Sequence, residues 1–437
     1  MVKKLLHIPF TWFPAACGGT EVYVKALMKE LAVVGWENQV VVPATASGEE
    51  LQADGVKVHR LAFGTEVSQE VMWGAGDAAT AAAFGEILGR ERPDLVHFHA
   101  FTPAISVRWL AAARAMGIPC VYTYHTPTLT CLRGTLMRGG SPCDGEMTPL
   151  RCSACVLHGH GLPWAFSWAA AVFSPLTWGL SQRVPFRILP LIRQRQQAAR
   201  EWLQGMDCVV ALCAWGAQVL RRNGVPEQTL RVIRHGLPVQ AASAAVKAAS
   251  ASSWERGQSL KLGFLGRLDP NKGLQVLVES LKALPTGLKL ELHCHLIADE
   301  AAKAAMPELW RALQADSRVV VHPPVPSEQV VEVMAGYDAV AVPSVWLETG
   351  PLVVLEAFAA GVPVLGSDLG GIAEWVRDGV NGLLLPAGDT GAWASALRRL
   401  VEDQGLLQRL RAGVQAPPGM DEVARRQHEV YLELITN

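Results

Sequence analysis

Short apolar runs alternate along this chain with longer segments whose apolar residues recur at helical spacing. The pattern predicts a buried first strand at Val2–Phe10 and a helix over Thr20–Val34. Strands follow at Gln39–Val42 and Lys57–Leu61, then an Ala-rich helix over Asp77–Gly89. Leu95–His99 reads as a strand after Pro93-Asp94, Ile105–Met116 as a helix and Pro119–Tyr124 as a strand. Asp207–Cys213 and Arg231–Ile233 continue the series. Strands alternating with helices imply right-handed crossovers and a mostly parallel sheet.

The rhythm lapses over residues 239–257, which are small and poorly patterned, and we read them as a linker. It then restarts. Strands are predicted at Lys261–Leu265, Leu288–Cys294, Val319–Val321, Ala339–Val342, Val364–Gly366 and Gly382–Leu385. Helices are predicted at Lys272–Leu281, Ala301–Leu313, Val330–Ala335, Leu352–Ala360 and Gly371–Val376, with a largely helical tail over Ala392–Leu434. The expectation is an α/β chain of two Rossmann-like, doubly wound domains, residues 1–238 and 258–410. Residues 411–437 form a helix that returns to the first domain. Ligands of such sheets bind outside the carboxyl ends of the strands, so the two halves are expected to face a central cleft.

Composition narrows this only a little. A chain of 437 residues is too long for one core. A net charge of −1 argues against a broad nucleic-acid surface, and no nucleic-acid partner is expected. Leu5-Leu6-His7-Ile8-Pro9-Phe10 is strand-length, not a signal h-region, so the expected location is cytoplasmic, at most peripheral at the inner face of the membrane.

Two groups of residues carry chemistry. In the second half, Gly263–Gly273 (GFLGRLDPNKG) ends a strand and opens a helix, with Arg267 in the loop and Lys272 at the helix start. An Arg fork and a mobile Lys charge suit a diphosphate, although both also suit a solvated surface. Downstream, WLETGPLVVLEAFAAGVPVL places Glu348 in a loop and Glu356 inside an otherwise apolar helix. A helix start beside Thr349, Gly350 and Leu352 receives phosphate or sugar oxygens, and carboxylates accept from sugar or ribose hydroxyls. A glutamate near a helix start is common, but an apolar helix gives no bland reason for Glu356. In the first half, Gly18 and Gly19 follow the first strand, with Glu21 just beyond, and His99 and His125 each end a strand. Close backbone approach to a ligand and a plain tight turn both explain the glycines.

With these residues in place, the chain resembles the retaining nucleotide-sugar glycosyltransferases of GT-B architecture, in the large family that includes sucrose synthase and bacterial α-mannosyltransferases. The resemblance covers about Lys3–Tyr124 and Asp207–Leu434. It implies that Glu348 and the following amides hold the donor sugar and that Glu356 binds the nucleotide ribose. Arg267 and Lys272 match the diphosphate-binding pair, and Gly370-Gly371-Ile372-Ala373-Glu374 matches the segment after the next strand, which brings Glu374 into the donor site. The resemblance places Gly18 and Gly19 beside donor phosphate and acceptor. His125 matches an active-site histidine, although Thr126 stands where the family often has Asp. His99 reads equally as acceptor-side or structural. The implied reaction moves a sugar, with retention, from a UDP-, GDP- or ADP-sugar to an acceptor hydroxyl, lipid-linked or on a glycan, and needs no cofactor. A phosphorylase-like relative, or a sugar-nucleotide sensor without turnover, is the alternative.

Between the halves of the first domain lies an insertion, about 126–205. Cys131, Cys143, Cys152 and Cys155 have spacings x11, x8 and x2. Four thiolates suit a structural Zn²⁺ or an iron–sulfur cluster, and the plain alternative is four reduced or paired cysteines. Residues 156–182 carry no Asp, Glu, Lys or Arg and include Trp164, Trp168 and Trp178, with Arg183, Arg187, Arg193, Arg195 and Arg200 following. Gly161, Pro163, Pro175 and Gly179 argue against a membrane span. A buried helical hairpin and a peripheral contact with an anionic membrane surface both fit.

Overall fold

The structure, a computed structural model, describes residues 2–14, 18–52, 54–64, 66–177, 187–238 and 258–436. The expected linker at 239–257, and with it Cys17, Trp178, Gly179 and Arg183, lies outside the described residues. The contacts divide the chain into two compact units. One comprises Met1–Arg234 with Val423–Asn437, the other His235–Glu422.

In the first unit the strands are β1 (Lys3–Ile8), β2 (Trp36–Ala44), β3 (Gly48–Leu51), β4 (Lys57–Ala62), β5 (Leu95–Phe98), β6 (Cys120–Tyr124), β7 (Met137–Arg138), β8 (Ser141–Pro142), β9 (Cys208–Ala211) and β10 (Leu230–Val232). Among the described residues eight of them form one sheet in the order β10-β9-β6-β5-β1-β2-β4-β3. All neighbours are parallel except β3, which pairs antiparallel with β4 at the edge. The hydrophobic pattern does not announce β3: Gly48-Glu49-Glu50-Leu51 is polar because an edge strand has one side in water. The helices are α1 (Gly19–Val33), α2 (Ala78–Glu91), α3 (Val107–Ala115), α4 (Pro149–Gly159), α5 (Trp164–Thr177), α6 (Ile188–Gln204) and α7 (Ala214–Arg222). One core joins Leu6 and Ile8 of β1, Val96 and Phe98 of β5, and Tyr122 and Tyr124 of β6 to Phe84, Trp109 and Trp202 of α2, α3 and α6. Trp109 stacks on Phe84 with ring centroids 4.3 Å apart, and Trp202 meets Phe98 edge-on at 4.8 Å. The C-terminal helix Met420–Thr436 belongs largely to this unit: His428 accepts from the Trp36 indole at 2.8 Å, and Arg426 donates to the Val232 carbonyl.

In the second unit β11 (Leu260–Arg267), β12 (Leu290–Ile297), β13 (Val319–His322), β14 (Ala339–Val342), β15 (Val364–Ser367) and β16 (Gly382–Leu385) form a parallel sheet in the order β13-β12-β11-β14-β15-β16. Two expectations change here. The single helix expected at Ala301–Leu313 is two, Glu300–Ala305 and Pro307–Ala315. Proline disfavours helical geometry in the residue before it, and Met306 sits at φ −130°. Lys272 does not open a helix. It ends the 3₁₀ turn Pro270–Lys272, and the helix begins at Leu274 after Gly273, which adopts φ +71°. A side chain on Gly273 would place Cβ 1.9 Å from the Pro343 carbonyl oxygen, so glycine is required twice over at this position.

Candidate active site

In the second unit the chain between β14 and the helix Leu352–Ala359 folds against the turn that follows β11. The Val345 amide donates to the Asn271 carbonyl at 2.9 Å, which places Lys272 beside Glu348. The Lys272 ammonium donates to Glu348 Oε1 at 2.9 Å, and the Ser344 hydroxyl and Trp346 indole donate to the same oxygen at 2.5 and 3.2 Å. Lys272 also lies over the Trp346 ring. Glu348 is buried. Burial alone would lift its pKa, but the Lys272 charge and these three donors outweigh it and hold the carboxyl below its ordinary range. The Glu348 carbonyl accepts from the Gly371 amide at 2.7 Å, and a Cβ at position 371 would meet that carbonyl at 2.8 Å. Gly371 is therefore small so that the helix Gly370–Trp375 can approach the Glu348 loop. Gly350 is constrained in the same way, since its Cβ would fall 1.9 Å from the His235 ring.

Glu356 lies in the same helix as Leu352 but in opposite surroundings. Its helix neighbours Val354, Leu355, Ala357 and Phe358 are buried, Glu356 itself is partly exposed, and no described residue hydrogen-bonds to its carboxylate. Desolvation lifts its pKa to about 7. Arg267 ends β11, exposed, and forms no ion pair among the described residues. Lys272, Glu348, Thr349 and Gly350 are thus gathered, with Arg267 at the adjoining strand end. Glu356 stands further along the following helix and Glu374 on the helix Gly370–Trp375, partly exposed.

In the first unit Gly18 caps α1 and Gly19 is its first residue. The buried Glu21 carboxylate reaches back to accept from the Gly18 amide at 2.8 Å and the Thr11 amide at 3.3 Å, fixing the loop after β1. Strand alternation sets the rest. Leu6 and Ile8, Val96 and Phe98, and Tyr122 and Tyr124 enter the core described above, so His7, His97 and Thr123 project to the opposite face, followed there by His99 and His125. These residues form a continuous chain. Asn38 of β2 accepts at Oδ1 from His7 Nε2 (3.1 Å), His7 Nδ1 pairs with His99 Nε2 (3.1 Å), and His99 Nδ1 pairs with His125 Nε2 (3.0 Å). The direction is set at one end. The Asn38 amide donates to the Met28 and Trp36 carbonyls, which leaves Oδ1 as the acceptor. With neutral rings, each histidine then donates through Nε2, and Nδ1 of His125 is an acceptor. His7, His97 and His99 are held neutral at pH 7. Burial, partly offset by Asn38, takes His7 to about 4, and burial with neighbouring imidazoles takes His97 and His99 well below 6.5. His97 pairs with Tyr431 and Thr123 at 2.6 and 2.7 Å. Sequence reasoning singled out His99 and His125 but missed His7, His97 and Asn38. The available signal was a histidine at or near the carboxyl end of three separate strands.

The four cysteines of the insertion line one cavity of about 40 Å³, with Leu136, Met137 and Val156. Arg133 approaches the Cys155 sulfur at 3.8 Å, and burial raises the Cys143 thiol and lifts Cys152 to about 11. Four soft donors around one cavity suit zinc or an iron–sulfur cluster. The sulfurs are not drawn in to ligand distance, however. Among the described residues, the sets of three or more ligand atoms lying within 4.8 Å of one another are His7/His97/His99 and Glu49/His59/Glu91. In the histidine set each ring nitrogen already has a hydrogen-bond partner.

Comparison with known proteins agrees with this organisation. The family described as Glycosyl transferase 4-like domain matches residues 18–236, half of the chain, and that described as Glycosyl transferases group 1 matches residues 247–415. A D-inositol 3-phosphate glycosyltransferase of Xylanimonas cellulosilytica is 36% identical over 173 residues, 39% of this chain and 41% of that protein. One of an Arthrobacter species is 25% identical over 403 residues, 88% of this chain and 82% of that protein. Several of the best-matching relatives are thus aligned over only about a third to two fifths of their length. Among solved structures, sucrose-phosphate synthase from Thermosynechococcus elongatus superposes with a TM-score of 0.68 at 20% identity, over 99% of both chains. Anabaena HepE in complex with UDP and glucose superposes with a TM-score of 0.63 at 16% identity, over 98% of this chain and 99% of that one. Two Rossmann-like units with these family matches make the chain a member of the glycosyl transferase 4-like family, with the GT-B fold.

Proposed function

We propose that this protein is a retaining glycosyltransferase that moves a sugar from a nucleoside-diphosphate sugar to an acceptor hydroxyl, in glycan, glycolipid or cell-envelope polysaccharide synthesis. The observation that carries the reading is the Glu348 loop. A buried carboxylate, kept ionised by Lys272 and Ser344, leads directly into a helix that carries a second, unpartnered carboxylate at Glu356. Ionised Glu348 accepts from donor-sugar hydroxyls, and Glu356 accepts from the ribose. Arg267 and Lys272 neutralise the charge that grows on the diphosphate as its bond to the anomeric carbon breaks. The acceptor oxygen bonds to that carbon on the same face, and the hydroxyl proton leaves with the diphosphate. In the first unit Glu21 fixes the glycine loop and His125, whose tautomer the histidine chain sets with Nδ1 as the acceptor, accepts from a sugar or acceptor hydroxyl. The reaction so drawn uses no cofactor. The four thiols around one cavity support a separate, structural zinc, which metal analysis of anaerobically purified protein tests.

HepE, in complex with UDP and glucose, shares this fold, which supports a nucleotide-sugar donor. The test incubates the full chain with UDP-, GDP- and ADP-sugars and a membrane extract and identifies products by mass spectrometry. A glycosylated product with retained anomeric configuration is expected. Donor binding without release of nucleoside diphosphate would show a sensor, and donor consumption dependent on inorganic phosphate a phosphorylase.

A further inference from the structure

The helix α5, WAFSWAAAVFSPLT, is inside out. Its inward stripe is Ser167, Ala171 and Ser174, at most 1% exposed. Its outward face is Phe166, Trp168, Val172, Phe173 and Leu176, exposed by 68, 40, 50, 58 and 80%. The inner serines are satisfied locally. Ser167 donates to the Leu162 carbonyl, and Ser174 donates to the Ala171 carbonyl while accepting from the Leu189 amide at the start of α6. Pro175, expected to interrupt the segment, lies within the last turn of α5 without ending it. The outward side chains present a contiguous apolar area on the order of 600 Å², at the upper end of what a monomer shows to water.

Charge identifies what covers this face. Residues 147–200 contain six arginines, no lysine and no Asp or Glu, in a chain whose net charge is −1. Of the described arginines, Arg151 is paired with Asp144, Arg187 donates to Gln69, and Arg195 lies over the Phe101 ring and donates to the Thr128 carbonyl, so the charge beside α5 is carried by Arg193 and Arg200 of α6. Leu189 at the start of α6 is bonded to Ser174, and Ile192 shares a small core with Ala170. Arg193, next to Ile192, and Arg200, two turns on along α6, are exposed and form no ion pair with a described residue. A protein partner for so apolar a face need not be acidic, whereas a bilayer with anionic headgroups matches both features. With 14 residues α5 is about 21 Å long, shorter than a hydrocarbon core, and no helix among the described residues is long and apolar enough to cross a membrane.

We infer that α5 and the exposed arginines of α6 form a docking surface for an anionic lipid bilayer, with α5 lying in the interface, its aromatic and aliphatic side chains among the acyl chains and Arg193 and Arg200 at the headgroups. The inference does not rest on the transferase reading, since the experiment requires no sugar donor.

Flotation of the full chain with vesicles tests it. One set is phosphatidylcholine alone, the other contains about one third phosphatidylglycerol. Wild type is expected to float with the anionic vesicles, to bind the neutral ones more weakly, and to lose part of its binding as salt rises from about 0.1 to about 0.5 M. The triple variant Phe166→Ser/Phe173→Ser/Leu176→Ser removes only exposed side chains, and an unchanged Tm will show that it folds. Its partition should fall about a hundredfold. Arg193→Gln/Arg200→Gln should remove much of the preference for anionic over neutral vesicles while the apolar contribution stays. Wild type that stays with lipid-free protein, or a folded triple variant that floats like wild type, overturns the inference. So does a wild-type dimer that the triple variant dissolves without changing flotation, because the face would then be an interface between copies.

Discussion

The two glutamates of the Glu348–Glu356 segment differ in the direction of their pKa shifts, and the difference is measurable. Glu356, in a helix of buried apolar neighbours, has its pKa lifted from 4.5 to about 7. Its folded-state pKa is therefore above its unfolded one. The stability tied to the protonated form is fully present below pH 4.5 and is lost as pH rises through about 7, by roughly 3 kcal/mol for the whole shift. Nucleotide binding works in the opposite sense. If ribose hydroxyls donate to the carboxylate, the complex favours the ionised form, which makes up about one tenth of the free protein at pH 6 and about nine tenths at pH 8. Affinity for the nucleoside diphosphate should then strengthen roughly tenfold across that interval, about 1.4 kcal/mol. The perturbation is Glu356→Gln, and the assay is isothermal titration with whichever of UDP, GDP or ADP binds tightest, in two buffers of different ionisation enthalpy. Near pH 7 the wild type should release about half a proton more than the variant. The nucleotide's own phosphate also titrates in this range but contributes equally to both proteins, so the difference isolates Glu356. Equal pH slopes and equal proton counts, with both proteins binding, would refute the argument.

Other outcomes follow from single contacts. Lys272→Met leaves the buried Glu348 carboxylate to Ser344 and Trp346 and should cost about 3 kcal/mol in denaturant unfolding of the second unit, while Lys272→Met/Glu348→Gln should recover part of that; strictly additive losses would show no coupling. Gly273→Ala brings Cβ against the Pro343 carbonyl at φ +71° and should lower stability by at least about 2 kcal/mol. Gly273→Asn tolerates the φ but not the contact and should do no better, as thermal melts of the two variants will show. Asn38→Asp puts a carboxylate on His7 Nε2, raises the His7 pKa from about 4 and protonates both its nitrogens as pH falls, so that His99 can no longer donate to it. Turnover should fall most at low pH with donor KM held, and ¹⁵N spectra should report a changed His125 tautomer; an unchanged pH profile would leave the chain structural.

What the sequence discloses is what is local. Strand alternation and helical spacing located β1, β6 and β14 to within a residue or two at each end, because burial on one or both faces dictates residue type every second or third position. Glu356 is legible because a carboxylate within an apolar helix is a conflict that local sequence reveals, whereas Glu348, in the loop before that helix, stands out only through the family resemblance. Lys272 was read as a diphosphate ligand, but its pairing with Glu348 joins residues 76 apart and depends on the Asn271–Val345 contact between loops. The histidine chain was illegible for the same reason. It needs β2, β1, β5 and β6 to be neighbours in that order, which no local pattern specifies. At Met306 the apolar periodicity on both sides reads as one continuous helix, but the proline at 307 holds Met306 out of helical geometry and divides it in two.

The two carboxylates also show how one short segment sets two electrostatic states. Glu348 precedes the helix, where the chain is irregular and loop neighbours can turn side chains toward it. Ser344 and Trp346, four and two residues earlier, supply two of its three donors, and the turn after β11 supplies the third. Glu356 lies after the chain has become helical. Its backbone is satisfied within the helix, its helical neighbours are apolar because they face β14 and β15, and no described group reaches it. The change from loop to helix at Pro351 therefore separates a carboxylate that is ionised before any ligand arrives from one near its midpoint at neutral pH. A ligand with hydroxyls at both positions would meet a preorganised acceptor at one end and at the other an acceptor whose ionisation its own binding completes. Exchanging the surroundings, by introducing a hydrogen-bond donor beside Glu356 through Val353→Asn or Ala360→Ser, should lower the Glu356 pKa and flatten the pH dependence of binding while leaving Glu348 unchanged.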